Sequence, residues 1–236
     1  MNKDACFLFA PWTSRALRAA GIVSAVGFVF LGWVIALTPL ELKMGVIQKI
    51  FYIHLPSAWC AFLGFFLAAC ASVLYLVKRR PVFDALAVSA AEVGVAFTTV
   101  VLLTGSAWGR AAWGVWWTWD VRLTTTLILW FIYVGYLMLR SAFAGQERQA
   151  ALAAVYAIVG FLDVPVVYMC VNFIETQHPK VLRSSGGGGL APEMVQTLLL
   201  GSVVFLVFFV FLWLLRARAE CLERRAGALS ALAEQK

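Results

Sequence analysis

The chain has 236 residues, of which 63% are hydrophobic and 13% charged. A soluble domain carries about 45–50% apolar and about 25% charged residues, so this composition excludes an ordinary soluble globule, a disordered chain and a basic nucleic-acid-binding domain. The bilayer is the expected solvent. At about 20 residues per spanning helix, the chain has room for six or seven spans joined by short loops, and none for a separate soluble catalytic domain. The net charge of +7 is read as a record of orientation rather than of an acidic ligand.

Gaps between charged residues mark the spans. Residues 19–40 are uncharged, residues 50–77 are uncharged apart from His54, and residues 85–107 hold one carboxylate, Glu92. Residues 123–139 are uncharged, residues 149–174 hold only Asp163, and residues 194–215 are uncharged. The apolar runs are continuous rather than alternating, which selects helices over barrel strands. The first run is long for a signal-peptide core and lacks a clear small-x-small cleavage site, so it is read as a span. The fold class expected is an all-α integral membrane protein with six transmembrane helices, at 20–38, 54–77, 85–107, 123–140, 150–172 and 194–215. Asp163 precedes Pro165, which removes a backbone donor and predicts a kink in the fifth helix.

Orientation follows from Lys and Arg in the short connections. One side takes Lys3, Arg15, Arg18, Lys78, Arg79, Arg80, Arg140, Arg148, Arg216, Arg218, Arg224, Arg225 and Lys236. The other takes only Lys43, Lys49, Arg110, Arg122, Lys180 and Arg183. The richer side is assigned to the cytoplasm, which puts both termini inside. The outer face then carries the segment leading into the second span, a tryptophan-rich loop at 108–122 and a loop at 173–193. A charged tail at 216–236 is expected to run off the membrane as a helix. The run Ser184-Ser185-Gly186-Gly187-Gly188-Gly189 lacks the Lys-Ser/Thr ending of a phosphate loop and reads as a spacer.

The five cysteines, Cys6, Cys60, Cys70, Cys170 and Cys221, form no C-x-x-C pair. That excludes a thiol–disulfide exchange motif, and the absence of C-x-x-C-H excludes a c-type heme attachment site. The two histidines, His54 and His178, both fall at the outer face. Singly each reads as an interfacial histidine; together they are the strong nitrogen donors available there. Five of the ten tryptophans, Trp108, Trp113, Trp116, Trp117 and Trp119, lie within twelve residues. An aromatic belt spreads its indoles over many helix ends, whereas a large flat ligand is served by indoles gathered in one place. Two imidazoles beside such a platform suit a porphyrin, whose iron takes one axial ligand from each face. Arg110, Arg122, Lys180 and Arg183 are the outer cations that could meet its propionates, or they are solvated loop charges. Met44, Met169 and Met194 read as packing rather than as iron ligands.

The segment from Trp108 to Thr124, WGRAAWGVWWTWDVRLT, resembles the tryptophan-rich motif of heme-handling membrane proteins, and its Trp-Asp-x-Arg-Leu-Thr ending is similar to that of the heme exporter protein C, or cytochrome c maturation protein C, family. The stretch from Gln48 to Trp59 resembles the surroundings of that family's first histidine. The resemblance spans nearly the whole chain. It implies that His54 and His178 are axial ligands of heme b iron, carried as a transported ligand. It implies a heme platform of Trp108, Trp113, Trp116, Trp117 and Trp119, with Asp120 and Arg122 in the motif. It further implies delivery of heme to a membrane-anchored chaperone, maturation protein E, in the bacterial inner membrane with the site on the periplasmic side. The other implied partners are an ATP-binding-cassette transporter built from maturation proteins A and B, and the small membrane protein of the same system, maturation protein D. Neither nucleic acid nor enzymatic activity is implied. Asp120 is left with three readings: holding an indole N–H, holding Arg122, or bonding a ligand histidine.

Two other readings use the same sequence differently. A membrane electron-transfer cytochrome would need further ligands deeper in the bilayer, and the chain holds only two histidines. A cofactor-free permease subunit would use Glu92 and Asp163. An ionisable group in hydrocarbon faces the bundle interior, and both carboxylates are expected in helix–helix contacts.

Overall fold

The computed structural model describes residues 11–42, 44–143, 148–173 and 190–234. Seven α-helices account for most of them: α1 Pro11–Leu37, α2 Phe51–Lys78, α3 Pro81–Trp113, α4 Val121–Ala142, α5 Gln149–Phe161, α6 Asp163–Phe173 and α7 Pro192–Glu234. A single 3-10 turn, Val46–Ile50, leads into α2. No strand occurs among the described residues. Six helical stretches are long and apolar enough to cross a membrane, with α5 and α6 forming one of them over Gln149–Cys170.

The division of the fifth span has a local cause. Pro165 has no N–H to give the carbonyl four residues earlier, that of Phe161, and α5 ends at Phe161. Leu162 closes the turn with its N–H on Val159 O at 3.1 Å, and α6 starts at Asp163.

The α2–α3 hairpin is the tightest feature. Arg79 adopts the left-handed conformation (φ 53°) and gives its N–H to Tyr75 O at 2.8 Å, while Pro81 opens α3. Left-handed capping followed by proline reverses the chain within three residues. The two helices then run closely enough that a Cβ on Gly64 would stand 2.9 Å from Gly94 Cα. Ala68 of α2 and Ala90 and Ala91 of α3 are buried in the same core cluster. In lipid, where apolar side chains gain nothing by leaving the solvent, such close backbone approach is a main source of helix association.

Larger groups fill the wider spaces. Phe65 stacks on Tyr133 at 3.9 Å between ring centres, and the Tyr133 hydroxyl donates to Ala157 O at 3.0 Å. This ties α2, α4 and α5 together. Phe97, Phe205 and Phe209 pack α3 against α7, with Leu31 of α1 in the same cluster. The outward faces carry aliphatic side chains such as Val29, Leu103 and Met138, as a lipid-facing surface requires.

Charge concentrates at the end remote from His54. Asp84 of α3 forms a bidentate pair with Arg140 of α4 at 2.7 and 3.0 Å and meets Arg224 of α7 at 2.6 Å. Glu92 is bonded by Arg216 at 2.5 and 3.2 Å. The helix–helix contact expected for Glu92 is therefore an ion pair to α7. The tail forms a helix continuous with the last span as far as Glu234, and its Arg216 and Arg224 pair with carboxylates of α3.

Candidate functional site

The site begins with His54, one turn into α2. The residue is only 7% exposed. Nδ1 lies 2.9 Å from Thr104 Oγ1 of α3, and the ring stands edge-on to the indole of Trp108, 6.1 Å between centres at 66°. Thr104 and Trp108 are four residues apart and so share one face of α3. Between them, Gly105 offers no side chain, and a Cβ there would come within 3.3 Å of His54 Cε1. His54 is thus laid against bare backbone, with a hydroxyl on one side and an indole on the other.

Helix α3 continues past residue 107 to Trp113, so Trp108 and Trp113 sit on its last turns. The Arg110 charge does not end the helix, because its guanidinium folds onto Gly114 O. Gly114 (φ 79°) closes α3 with its N–H on Arg110 O at 3.1 Å. Trp113 packs over Gly109, half-buried. Beyond the cap, Trp116 and Trp119 are 63% and 77% exposed, and Trp117 is half-buried and edge-on to Trp119 at 5.9 Å and 81°. The Trp117 indole N–H and the Thr118 hydroxyl are buried without hydrogen-bond partners.

Asp120 has a fourth role, not among the three expected: it caps α4, its carboxylate accepting the backbone N–H of Arg122 at 2.9 Å. Side-chain capping of this kind contributes about 1 kcal/mol to a helix start, and here it fixes where the loop ends. Arg122 is half-buried, and its positive charge reaches His54.

Of the residues singled out from sequence, His54 and Trp108 are brought into contact, as are Trp117 and Trp119. Trp116 and Trp119 stand out from the loop rather than against His54. His178, Lys180 and Arg183 lie outside the described residues. Thr104 and Gly105 also belong to the site, although neither residue type stands out in the sequence. The signal for them is the four-residue spacing of Thr104 and Trp108 around a glycine.

The heme exporter protein C family model matches residues 4–232. Over 220 residues the chain is 37% identical to heme exporter protein C of Bradyrhizobium diazoefficiens, covering 93% of this chain and 81% of the relative. Identity to heme exporter protein C of Paracoccus denitrificans is 33% over 224 residues, covering 94% and 90%. For the Escherichia coli protein of that name it is 30% over 213 residues, covering 90% and 84%. A single-chain bundle of six apolar spans, matched along nearly its full length, belongs to the heme exporter protein C family.

Proposed function

We propose that this protein serves heme export for cytochrome c maturation, holding heme at the outer end of its bundle and passing it on. The observation that carries the reading is His54: a buried imidazole at the edge of the Trp108 indole, beside a loop with two exposed indoles and two unbonded polar groups. Iron protoporphyrin IX (heme b) is the cargo. His54 and His178 are its axial ligands, the Trp108, Trp113, Trp116, Trp117 and Trp119 indoles its platform, and Arg122, with its positive charge, a partner for a propionate. Asp120 serves by fixing the start of α4 and hence the end of the loop. Exposed indoles suit a ligand that must leave again, since deep enclosure would oppose release.

In this reading the membrane is the bacterial inner membrane, with the site on the periplasmic side and both termini in the cytoplasm. The recipient is a membrane-anchored heme chaperone, maturation protein E. The ATP-binding-cassette transporter of maturation proteins A and B completes the assembly together with the small maturation protein D, and the chain itself performs no catalysis. Of the two carboxylates that a permease reading uses, Glu92 is bonded through both oxygens by Arg216, whereas Asp163 Oδ2 is buried without a hydrogen-bond partner. The test is the optical spectrum of the purified protein. A Soret band in the wild type, lost in His54→Ala with His178→Ala, is the expected result, and full heme occupancy in the double variant overturns the ligand assignment.

A further inference from the structure

The contact between α2 and α3 specifies more than a position for His54; it specifies a protonation pattern. Thr104 Oγ1 lies 2.9 Å from His54 Nδ1. The same oxygen is 2.6 Å from the carbonyl oxygen of Val100, one turn back, and 3.3 Å from that of Val101. A carbonyl only accepts, and a threonine hydroxyl has one proton. An oxygen–oxygen separation of 2.6 Å is that of a hydrogen bond, so the Thr104 proton is directed to the helix backbone. What Thr104 offers His54 is a lone pair. The proton between the two side chains must come from the imidazole, which makes Nδ1–H the donor. In a neutral ring protonated at Nδ1, the remaining lone pair is on Nε2, and a metal binds a lone pair.

We propose that Thr104 is a positioning residue for heme: it sets the Nδ1–H tautomer of His54 and, with Gly105 leaving room for the ring, makes Nε2 the iron-binding atom. This rests on the reading of His54 as an axial ligand. A histidine donating its other N–H is a more basic ligand with a fixed ring plane. For heme iron, such a bond is one of the levers on reduction potential, a more basic donor favouring the ferric state.

The test uses the full-length protein and two readouts. The first needs no heme. With 15N-labelled histidine in a His178→Asn background, only one of the two imidazoles in the chain remains. Its spectrum is expected to show a protonated Nδ1 and an unprotonated Nε2. Thr104→Val is expected to shift the ring toward the Nε2–H form, and Thr104→Ser to keep the wild-type pattern. An Nε2–H ring in the Thr104-containing protein overturns the proposal before any variant at Thr104 is made.

The second readout is the heme-loaded protein with both histidines. Thr104→Val is expected to raise the midpoint potential and to weaken heme retention roughly 10-fold, in the range for lost outer hydrogen bonds to metal ligands. Thr104→Ser is expected to restore both. If Thr104→Ser behaves as Thr104→Val, or if Thr104→Val matches the wild type while His54→Ala loses the six-coordinate spectrum, Thr104 has no such role and the ligand reading stands. If His54→Ala keeps that spectrum, the ligand reading itself fails and this proposal with it.

Discussion

The two ends of the bundle solve opposite problems. At the end remote from His54, the carboxylates of Asp84, Glu92, Glu220 and Glu223 all face guanidinium groups. At the His54 end, Trp116 and Trp119 stand exposed, and Trp117 and Thr118 bury polar atoms with no partner. Saturated bonding is what a structural joint needs. On the function proposed above, the uncovered indoles are the contacts that a bound ligand covers. The contrast teaches that the ends should respond differently to substitution: changes at the paired end should cost folding, and changes at the indole end should cost ligand.

The sharpest way to break this contrast is the double substitution His54→Ala with His178→Ala. Heme co-purification is expected to be abolished while the amount of folded protein in the membrane stays as in the wild type, read by Soret absorbance per mole of purified chain. Asp84→Ala is expected to do the reverse. It leaves Arg140, only 9% exposed at its side chain, without its counter-charge, a loss of about 3–5 kcal/mol for a broken buried pair. Thermal melting in detergent reads it, and the fraction that remains folded is expected to hold heme normally.

A smaller effect is expected from replacing Trp116, Trp117 and Trp119 together by alanine. Heme retention or hand-over should fall more than in Trp33→Ala, where the indole is an exposed side chain of α1, with melting little changed in either. Equal effects on heme would return the motif to the role of an aromatic belt. Smallest of all is Glu92→Gln. The Arg216–Glu92 pair is partly exposed, 34% and 27% at the side chains, and pairs of that kind contribute about 0–1 kcal/mol. Heme handling is expected to match the wild type. A collapse of transport with heme binding intact would instead revive the permease reading.

Much of this organisation is legible in the sequence. Six spans show as gaps between charges because lipid tolerates few ionised groups, and the break in the fifth shows at Pro165 because a missing N–H has one consequence in a helix. The tryptophan cluster and His54 are legible as outliers in composition. The Thr104–Gly105 seat shows only as a four-residue spacing around a glycine, and that it receives His54 depends on how closely α2 packs on α3 at that point. The Asp84 cluster is equally hidden. Its members lie 56 and 140 residues apart, and charges at span ends look like ordinary loop charges when spans are found by their lack of charge. Arg110 misleads in the same way: it marks a loop by charge, yet it sits within α3 and turns its guanidinium to the cap.

The length of α7 has a structural consequence. Its 43 residues amount to a rod of about 65 Å at 1.5 Å per residue, roughly twice the hydrocarbon thickness. It holds no proline after its first residue, and Gly201-Ser202 is its one glycine–serine pair, a kind of site at which helices bend. One continuous helix therefore links the ion pairs of Arg216 and Arg224 to the contacts of Met194 and Thr197 at its other tip.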